Sequence, residues 1–117
     1  AFEQLEAARY LPYLKKGGVV VTNTQKIDPM PVITGAAAYP AALLEKIEAA
    51  GVRLTAVDAL RLAEEAGSQK AVNVVLIGAM ASSLDIPEES WLSAIEKTVP
   101  AKFLDMNKRA FALGYRA

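Results

Sequence analysis

The run AVNVVLIGAMA, residues 71 to 81, limits the fold of this chain more than any other feature. Asn73 alone interrupts its apolar character, and the run is far shorter than the ~20 apolar residues that a membrane-spanning helix needs. A helix from Ser68 to about Leu84 would place apolar side chains on opposite faces. We therefore predict a central helix that is buried on all sides.

Asn73 then needs an explanation, because a carboxamide buried without hydrogen-bond partners costs roughly 1–3 kcal/mol. Near the start of a buried helix, its amide can bond a neighbouring loop or a partner chain. We therefore interpret Asn73 as structural rather than catalytic. Asn107, in the C-terminal segment, receives the same interpretation.

The first half of the chain alternates helical and extended patterns. The N-terminal segment has apolar residues at helical spacing, and Pro12 predicts that this helix ends or kinks there. Val19 to Val21 form a β-branched run that is typical of a parallel strand covered on both faces. A second short strand is predicted around Val32 and Ile33, and a helix from Pro40 to Gly51 follows.

The second half becomes helical after a third predicted strand, residues 52 to 57. Asp58 is suited to cap a helix over Ala59–Ala66, and Gly67 is suited to end it. Pro87 and Pro100 each begin a further helix. The apolar positions of these last two helices are Trp91, Leu92, Ile95, Val99, Phe103, Met106, Ala110 and Phe111, of which the first four are expected to be buried.

These elements predict an α/β fold with a Rossmann-like partial parallel sheet flanked by helices and a helical C-terminal half. Three strands make a thin sheet, and an α/β unit that begins with a helix lacks the strand expected to feed it. We therefore expect residues 1–117 to be a single domain, the C-terminal part of a larger one whose N-terminal strand or strands are missing. A domain boundary after Gly67 is the alternative.

The composition excludes several kinds of site, because the 117 residues include no Cys and no His. The chain therefore cannot form disulfides or ligate an iron–sulfur cluster through thiolates, and it lacks the commonest metal ligand and general base. Thirteen basic residues balance thirteen acidic ones, so there is no cationic footprint for nucleic acid or an anionic membrane. We expect a cytoplasmic protein with no nucleic-acid partner, no membrane partner and no metal site of its own.

Three segments carry a resemblance to a known family. VDALRLAEEAGSQKAVNVVLIGA, residues 57 to 79, resembles that family's polar turn followed by an Asn-led apolar helix ending in Gly-Ala. The family's mid-domain helix and strand resemble residues 10 to 25, YLPYLKKGGVVVTNTQ. Its closing helix is similar to residues 102 to 115, KFLDMNKRAFALGY. The family is the gamma-type domain of 2-oxoacid:ferredoxin oxidoreductases (pyruvate/ketoisovalerate ferredoxin oxidoreductase gamma family). Within the family, the stretches Leu-Pro-Tyr-Leu-Lys, Asn-Thr-Gln and Pro-x-Lys-Phe most resemble the indolepyruvate ferredoxin oxidoreductase beta-subunit group, C-terminal portion. The family's initial Gly-x-Gly-Gly-Gln-Gly turn is not found in residues 1–117, so its role is not carried over.

The resemblance implies a subunit of an enzyme that decarboxylates an aryl 2-oxoacid such as indolepyruvate and yields an acyl-coenzyme A. Electrons would pass through iron–sulfur clusters to ferredoxin. The clusters, thiamine diphosphate and Mg would lie on a partner catalytic subunit, because this chain has neither Cys nor a Gly-Asp-Gly motif. This chain would not be catalytic alone and would supply no catalytic residue, while coenzyme A would be the co-substrate that it could contact.

The candidate cofactor-binding residues follow the most strand-like segment and are Thr22, Asn23, Thr24 and Gln25. In open parallel sheets, ligands bind outside the carboxyl ends of the strands. The alternative is that these residues only form a turn. Gly35 is a further candidate, because a glycine before three alanines permits close approach of a ligand or partner; the alternative is a tight lead-in to the next helix.

Two other functions stay open. The chain could be a non-catalytic scaffold subunit of such a complex, or an unrelated small-ligand-binding α/β domain. A bound partner that contains iron would support a role in the complex, and loss of turnover after mutation of Asn23 and Gln25, with assembly intact, would distinguish an enzyme site from a scaffold.

Overall fold

Two parallel strands, β1 (Val19–Asn23) and β2 (Arg53–Val57), form the sheet. Where they begin to pair, the Arg53 amide donates to the Gly18 carbonyl oxygen at 2.9 Å. A computed structural model describes all residues from Ala1 to Ala117, which divide into unit 1, Ala1–Ala56, and unit 2, Val57–Ala117. The strands predicted at residues 19–21 and 52–57 are confirmed, whereas the extent of the domain stays a prediction.

Unit 1 packs its helices α1 (Gln4–Tyr10) and α3 (Leu43–Ala49) against each other, with Ala7, Leu43 and Ile47 buried. A 3-10 turn over Leu11–Tyr13 follows α1, so the predicted end of this helix near Pro12 is confirmed. The helix predicted from Pro40 starts later, because Ala42 at its N-cap has a left-handed backbone with φ 56°.

The strand predicted around Val32 and Ile33 is wrong, because these residues belong to a short helix, α2 (Met30–Ile33). The amides of Val32 and Ile33 both donate to the Pro29 carbonyl oxygen, at 2.9 and 3.1 Å. Pro31 fits the first turn, where its missing N–H has no intrahelical partner to lose. The sheet consequently has two strands and not three.

Unit 2 consists of four helices, α4 (Ala59–Ala66), α5 (Val72–Ala81), α6 (Glu88–Thr98) and α7 (Ala101–Tyr115). The predicted bounds of α4 are confirmed, and the Asp58 carboxylate accepts the Arg61 amide at 3.2 Å. The helix predicted from Ser68 to Leu84 is shorter than expected. Ser68 instead caps a 3-10 turn, Gln69–Ala71, from which α5 begins.

Helices α5 and α7 touch through their backbones at two glycines. A Cβ atom on Gly114 would lie 1.9 Å from the Val75 carbonyl oxygen, and one on Gly78 would lie 2.2 Å from that of Phe111. No other residue fits either position without moving a backbone. This close approach lets Val75 and Phe111 become fully buried.

The expectation that α5 is buried on all sides is wrong. Val75, Leu76 and Ala79 are buried, but Ile77 is 38% exposed and Met80 is 39% exposed. Within unit 2, α5 packs against α4 and α7, which leaves part of its surface uncovered. Asn73 lies on the exposed surface, where its Oδ1 accepts the Val74 amide at 2.9 Å, so it satisfies one N–H at the start of its own helix.

Helix α6 begins after Pro87, as predicted, but buries none of its residues fully. Trp91 is half-buried, with its ring centroid 6.3 Å from that of Phe111 on α7. An amphipathic helix that packs on one neighbour covers only one side of its apolar stripe. None of the helices has both the length and the apolar character that crossing a membrane requires.

Candidate functional site

The predicted segment Thr22–Gln25 leaves the carboxyl end of β1, but its members differ in exposure. Thr22 and Asn23 are buried as the last residues of β1, Thr24 is half-buried, and Gln25 is exposed. The Thr22 hydroxyl donates to the Asn23 carbonyl oxygen at 3.0 Å, and the Asn23 amide donates to Gln25 Oε1 at 3.3 Å. Thr22 and Asn23 therefore use these polar groups inside the protein, whereas Gln25 faces the surface.

The start of α1 holds this segment in place. The Gln4 backbone amide donates to the Gln25 carbonyl oxygen at 3.0 Å. The Gln4 side-chain amide donates to the Thr24 carbonyl oxygen at 2.6 Å. The Thr22 hydroxyl also approaches the Glu3 carbonyl oxygen at 3.5 Å. Main-chain oxygens that already accept such bonds fix the course of the segment.

Glu3 lies next to this segment, where its carbonyl oxygen meets the Thr22 hydroxyl, and only 5% of the residue is exposed. One of its carboxylate oxygens accepts the Ile27 amide at 3.1 Å and the Tyr39 hydroxyl at 2.8 Å. The other oxygen accepts the Glu6 amide and thereby caps α1. A buried carboxylate needs several donors to offset its lost hydration, and here they come from three separate parts of unit 1.

Tyr39 completes this arrangement as both donor and acceptor. Its hydroxyl donates to Glu3 and accepts the Leu5 amide at 3.1 Å. Burial, followed by the hydrogen bond to the Glu3 carboxylate, raises the pKa of Tyr39 to about 12. The phenol therefore stays neutral at physiological pH and acts as a bridge between α1 and the segment before α3.

Gly35 lies in an exposed turn that follows α2. Its φ of +81° belongs to the left-handed region that favours glycine, and a Cβ atom there would meet nothing within 4 Å. Its amide donates to the Val32 carbonyl oxygen at 3.1 Å, so its bond lies within its own turn. The open space leaves this backbone accessible to a ligand or partner.

Neither Glu3 nor the bridging role of Tyr39 was predicted from the sequence. The two residues are 36 positions apart, so no local spacing connects them. Glutamate is also not among the preferred N-cap residues, which removes the one local signal that could have singled out Glu3. Of the predicted residues, the structure brings Asn23 and Gln25 into contact through their side chains.

The residues of this chain do not fit a metal or an iron–sulfur cluster. No group of three or more His, Cys, Asp or Glu is placed to hold a metal ion, and there is no Cys to supply a thiolate. The Glu3 oxygens already accept N–H and O–H donors. No step that runs through such a group is assigned to this chain.

Comparison with known proteins gives consistent matches. The chain is 46% identical over 122 residues to indolepyruvate oxidoreductase subunit IorB of Thermococcus kodakarensis, a match that covers 100% of the chain and 60% of that relative. It is 44% identical over 124 residues to the protein of the same name from Pyrococcus horikoshii, with the same two coverages. The chain thus spans about 60% of the length of these curated relatives.

The fold is shared with a solved structure, the gamma subunit of a keto/oxoacid ferredoxin oxidoreductase from Geobacter sulfurreducens. The TM-score is 0.70 at 24% identity, and the match covers 99% of this chain and 60% of that one. The sequence profile described as pyruvate ferredoxin/flavodoxin oxidoreductase matches residues 1–117. The resemblance inferred from the three segments is therefore confirmed, and the chain belongs to the pyruvate ferredoxin/flavodoxin oxidoreductase family.

Proposed function

We propose that this chain is part of a gamma-type subunit of a 2-oxoacid:ferredoxin oxidoreductase that acts on indolepyruvate or a related aryl pyruvate. The observation that carries the proposal is the match to two IorB subunits at 46% and 44% identity over the whole chain. The complex would decarboxylate the 2-oxoacid oxidatively and form an acyl-coenzyme A.

In this proposal the chain works with a catalytic partner subunit in the cytoplasm. Thiamine diphosphate, Mg and the iron–sulfur clusters would lie on that partner and would supply the decarboxylation and the electron path to ferredoxin. The absence of Cys in this chain supports this division. The chain's own contribution would be to pack against the partner and to shape a channel for coenzyme A or substrate.

Five residues form the proposed contact site, and their exposure suggests different roles. Gln25 and Gly35 are exposed and would contact coenzyme A or the catalytic subunit. Thr22, Asn23 and Thr24 are at least half-buried and would hold Gln25 in position. The support is the hydrogen bond between Asn23 and Gln25, together with the bonds from Gln4 that fix the backbone at Thr24 and Gln25.

A non-catalytic scaffold role is the second candidate, and a separate observation favours it. Ile27, Met30 and Ile33 are 53%, 68% and 66% exposed and lie close together in the sequence around α2. Exposed apolar side chains that recur within one segment suit burial against a partner. The third possibility, an unrelated ligand-binding domain, is excluded because the chain belongs to the family.

A native pull-down tests the proposed complex. The protein serves as bait, and iron and thiamine diphosphate are assayed in the material that elutes with it. We expect a Cys-rich partner that brings both cofactors, and turnover on aryl pyruvates by that complex. Elution of the bait without a partner and without cofactors would contradict the proposal.

Substitution at the proposed site then distinguishes the two candidates. In the assembled complex, Gln25→Ala is expected to raise the KM for coenzyme A or to lower turnover, while assembly remains intact. Gln69→Ala, which changes an exposed glutamine in unit 2, is the matched control. Unchanged kinetics for Gln25→Ala would favour the scaffold role.

A further inference from the structure

A cleft in unit 2 has a volume of about 610 Å³ and is not used by the proposed function. It lies between the turn after α4 and the junction of α6 with α7, and Val99, Pro100, Phe103 and Met106 form its apolar walls. Phe103 is 43% exposed, so part of its ring faces solvent. Ligand pockets in proteins commonly measure about 300–1,000 Å³, which includes this cleft.

The polar groups of the cleft offer more donors than acceptors. Ser68 Oγ accepts the Lys70 amide at 3.2 Å, and its own hydroxyl proton has no acceptor in the protein. Asn107 donates one amide proton to the Phe103 carbonyl oxygen at 2.9 Å, which leaves its second proton free. The Lys70 ammonium forms no ion pair, since the five salt bridges of the protein involve other cations.

The charges around the cleft are positive. No Asp or Glu lines it. The Arg109 guanidinium lies at its edge, with Nη2 3.7 Å from the position that a Cβ atom on Gly67 would take, and it also forms no ion pair. Asp105 lies one helical turn before Arg109 on α7, but it neither lines the cleft nor forms an ion pair with Arg109. A ligand complementary to this cleft is therefore an anion.

We propose that this cleft binds a small amphipathic carboxylate. Its apolar body lies against Val99, Phe103 and Met106, and its carboxylate accepts hydrogen bonds from Lys70 and Arg109. A planar guanidinium matches the geometry of a carboxylate, and a lysine adds a compact charge beside it. This site does not depend on the proposed function, because it uses none of the five residues named above and needs no catalytic partner.

Titration calorimetry with two matched probes tests the proposal on the intact protein. Phenylbutyrate carries an apolar body and a carboxylate, and phenylbutanol carries the same body with a neutral hydroxyl. We expect phenylbutyrate to bind about tenfold more tightly, as a charge-assisted hydrogen bond predicts. Lys70→Met is expected to reduce this difference, with Arg109 still in contact with the carboxylate, while Lys46→Met, which changes an exposed lysine of α3 in unit 1, preserves it.

A second variant tests the location of binding. Val99 has an extended backbone at the end of α6, so Val99→Trp can place a larger ring in the cleft, and circular dichroism checks that the helices persist. Binding of both probes should be lost in this variant and retained by the parent protein. The proposal would be overturned if the parent protein bound neither probe or bound both with equal affinity. It would also be overturned if Lys70→Met bound phenylbutyrate as tightly as the parent does, or if binding survived in Val99→Trp. Shifts of the Val99 and Phe103 amide signals by the catalytic subunit but not by phenylbutyrate would indicate a protein interface instead, and would overturn it as well.

Discussion

Replacing Gly114 with alanine should separate α5 from α7. The new methyl group would lie 1.9 Å from the Val75 carbonyl oxygen and 3.1 Å from the Ala79 amide nitrogen. These are backbone atoms, which cannot move away by rotation about a side-chain bond. The helices must therefore move apart until the first distance approaches the ordinary contact of 3.4 Å.

The expected cost follows from two opposing effects. Overpacking of a close-packed core commonly costs about 1–3 kcal/mol, and a collision with backbone belongs at the upper end of that range. Alanine returns about 1 kcal/mol through its higher helix propensity than glycine. We expect Gly114→Ala to lower the free energy of unfolding by about 2 kcal/mol, a large part of the stability of a domain.

Urea unfolding followed by Trp91 fluorescence measures this change. Trp91 is the one tryptophan of the chain and lies 6.3 Å, between ring centroids, from Phe111 on α7. Ser90→Thr adds a methyl group at an exposed position of α6 and is expected to change stability by less than about 0.5 kcal/mol. Gly78→Ala should resemble Gly114→Ala, and the double variant should cost less than the sum, because one separation of the helices accommodates both methyl groups. A Gly114→Ala protein as stable as the parent would refute the backbone contact.

Three further predictions concern unit 1. Glu3→Gln replaces one of the two acceptor oxygens with an N–H donor, although the three groups around it are all donors. Thermal unfolding should therefore show that the free energy of unfolding falls by about 2 kcal/mol. An unchanged melting temperature would contradict this arrangement. The folded-state pKa of Tyr39, about 12, lies above the ordinary value of 10.0, so the neutral phenol stabilises the fold below pH 10 and this contribution is lost as the pH rises towards 12. In urea titrations at successive pH values, the free energy of unfolding of Tyr39→Phe should therefore decline less steeply between pH 10 and 12 than that of the parent. An equally steep decline in the two proteins would contradict this contribution of Tyr39. Ala42→Gly should raise the free energy of unfolding by up to about 1 kcal/mol, because glycine removes the strain of the φ of 56°; chemical denaturation that shows a loss would contradict this.

The elements predicted correctly are those with complete local signals. Helix α4 has a capping aspartate before it and a glycine after it, and its bounds, Ala59–Ala66, follow from those two residues. Strand β1 follows from three consecutive valines. Val32 and Ile33 are too few to establish a period, so the neighbouring prolines and the bonds to the Pro29 carbonyl oxygen determine their helical turn.

Burial and the candidate site depended on contacts that the sequence does not encode locally. The apolar character of α5 indicated burial, but the number of neighbouring helices determines how much surface is covered, and Ile77 and Met80 remain partly exposed. The position of Thr24 and Gln25 after β1 was predictable from strand topology, whereas Thr22 and Asn23 belong to the strand itself. The hydrogen bond between Glu3 and Tyr39 was not predictable, because the two residues are 36 positions apart in the sequence.

The Glu3 carboxylate also closes the loop between Ile27 and Tyr39. One oxygen holds both the Ile27 amide and the Tyr39 hydroxyl, so the residues between them form a loop whose two ends are fastened at a single point. Such a loop is expected to open as one cooperative unit, and its amides would then exchange with solvent at a common rate. Because its length adds little to the cost of closure, the segment that carries Met30 and Ile33 can vary in length with little effect on stability.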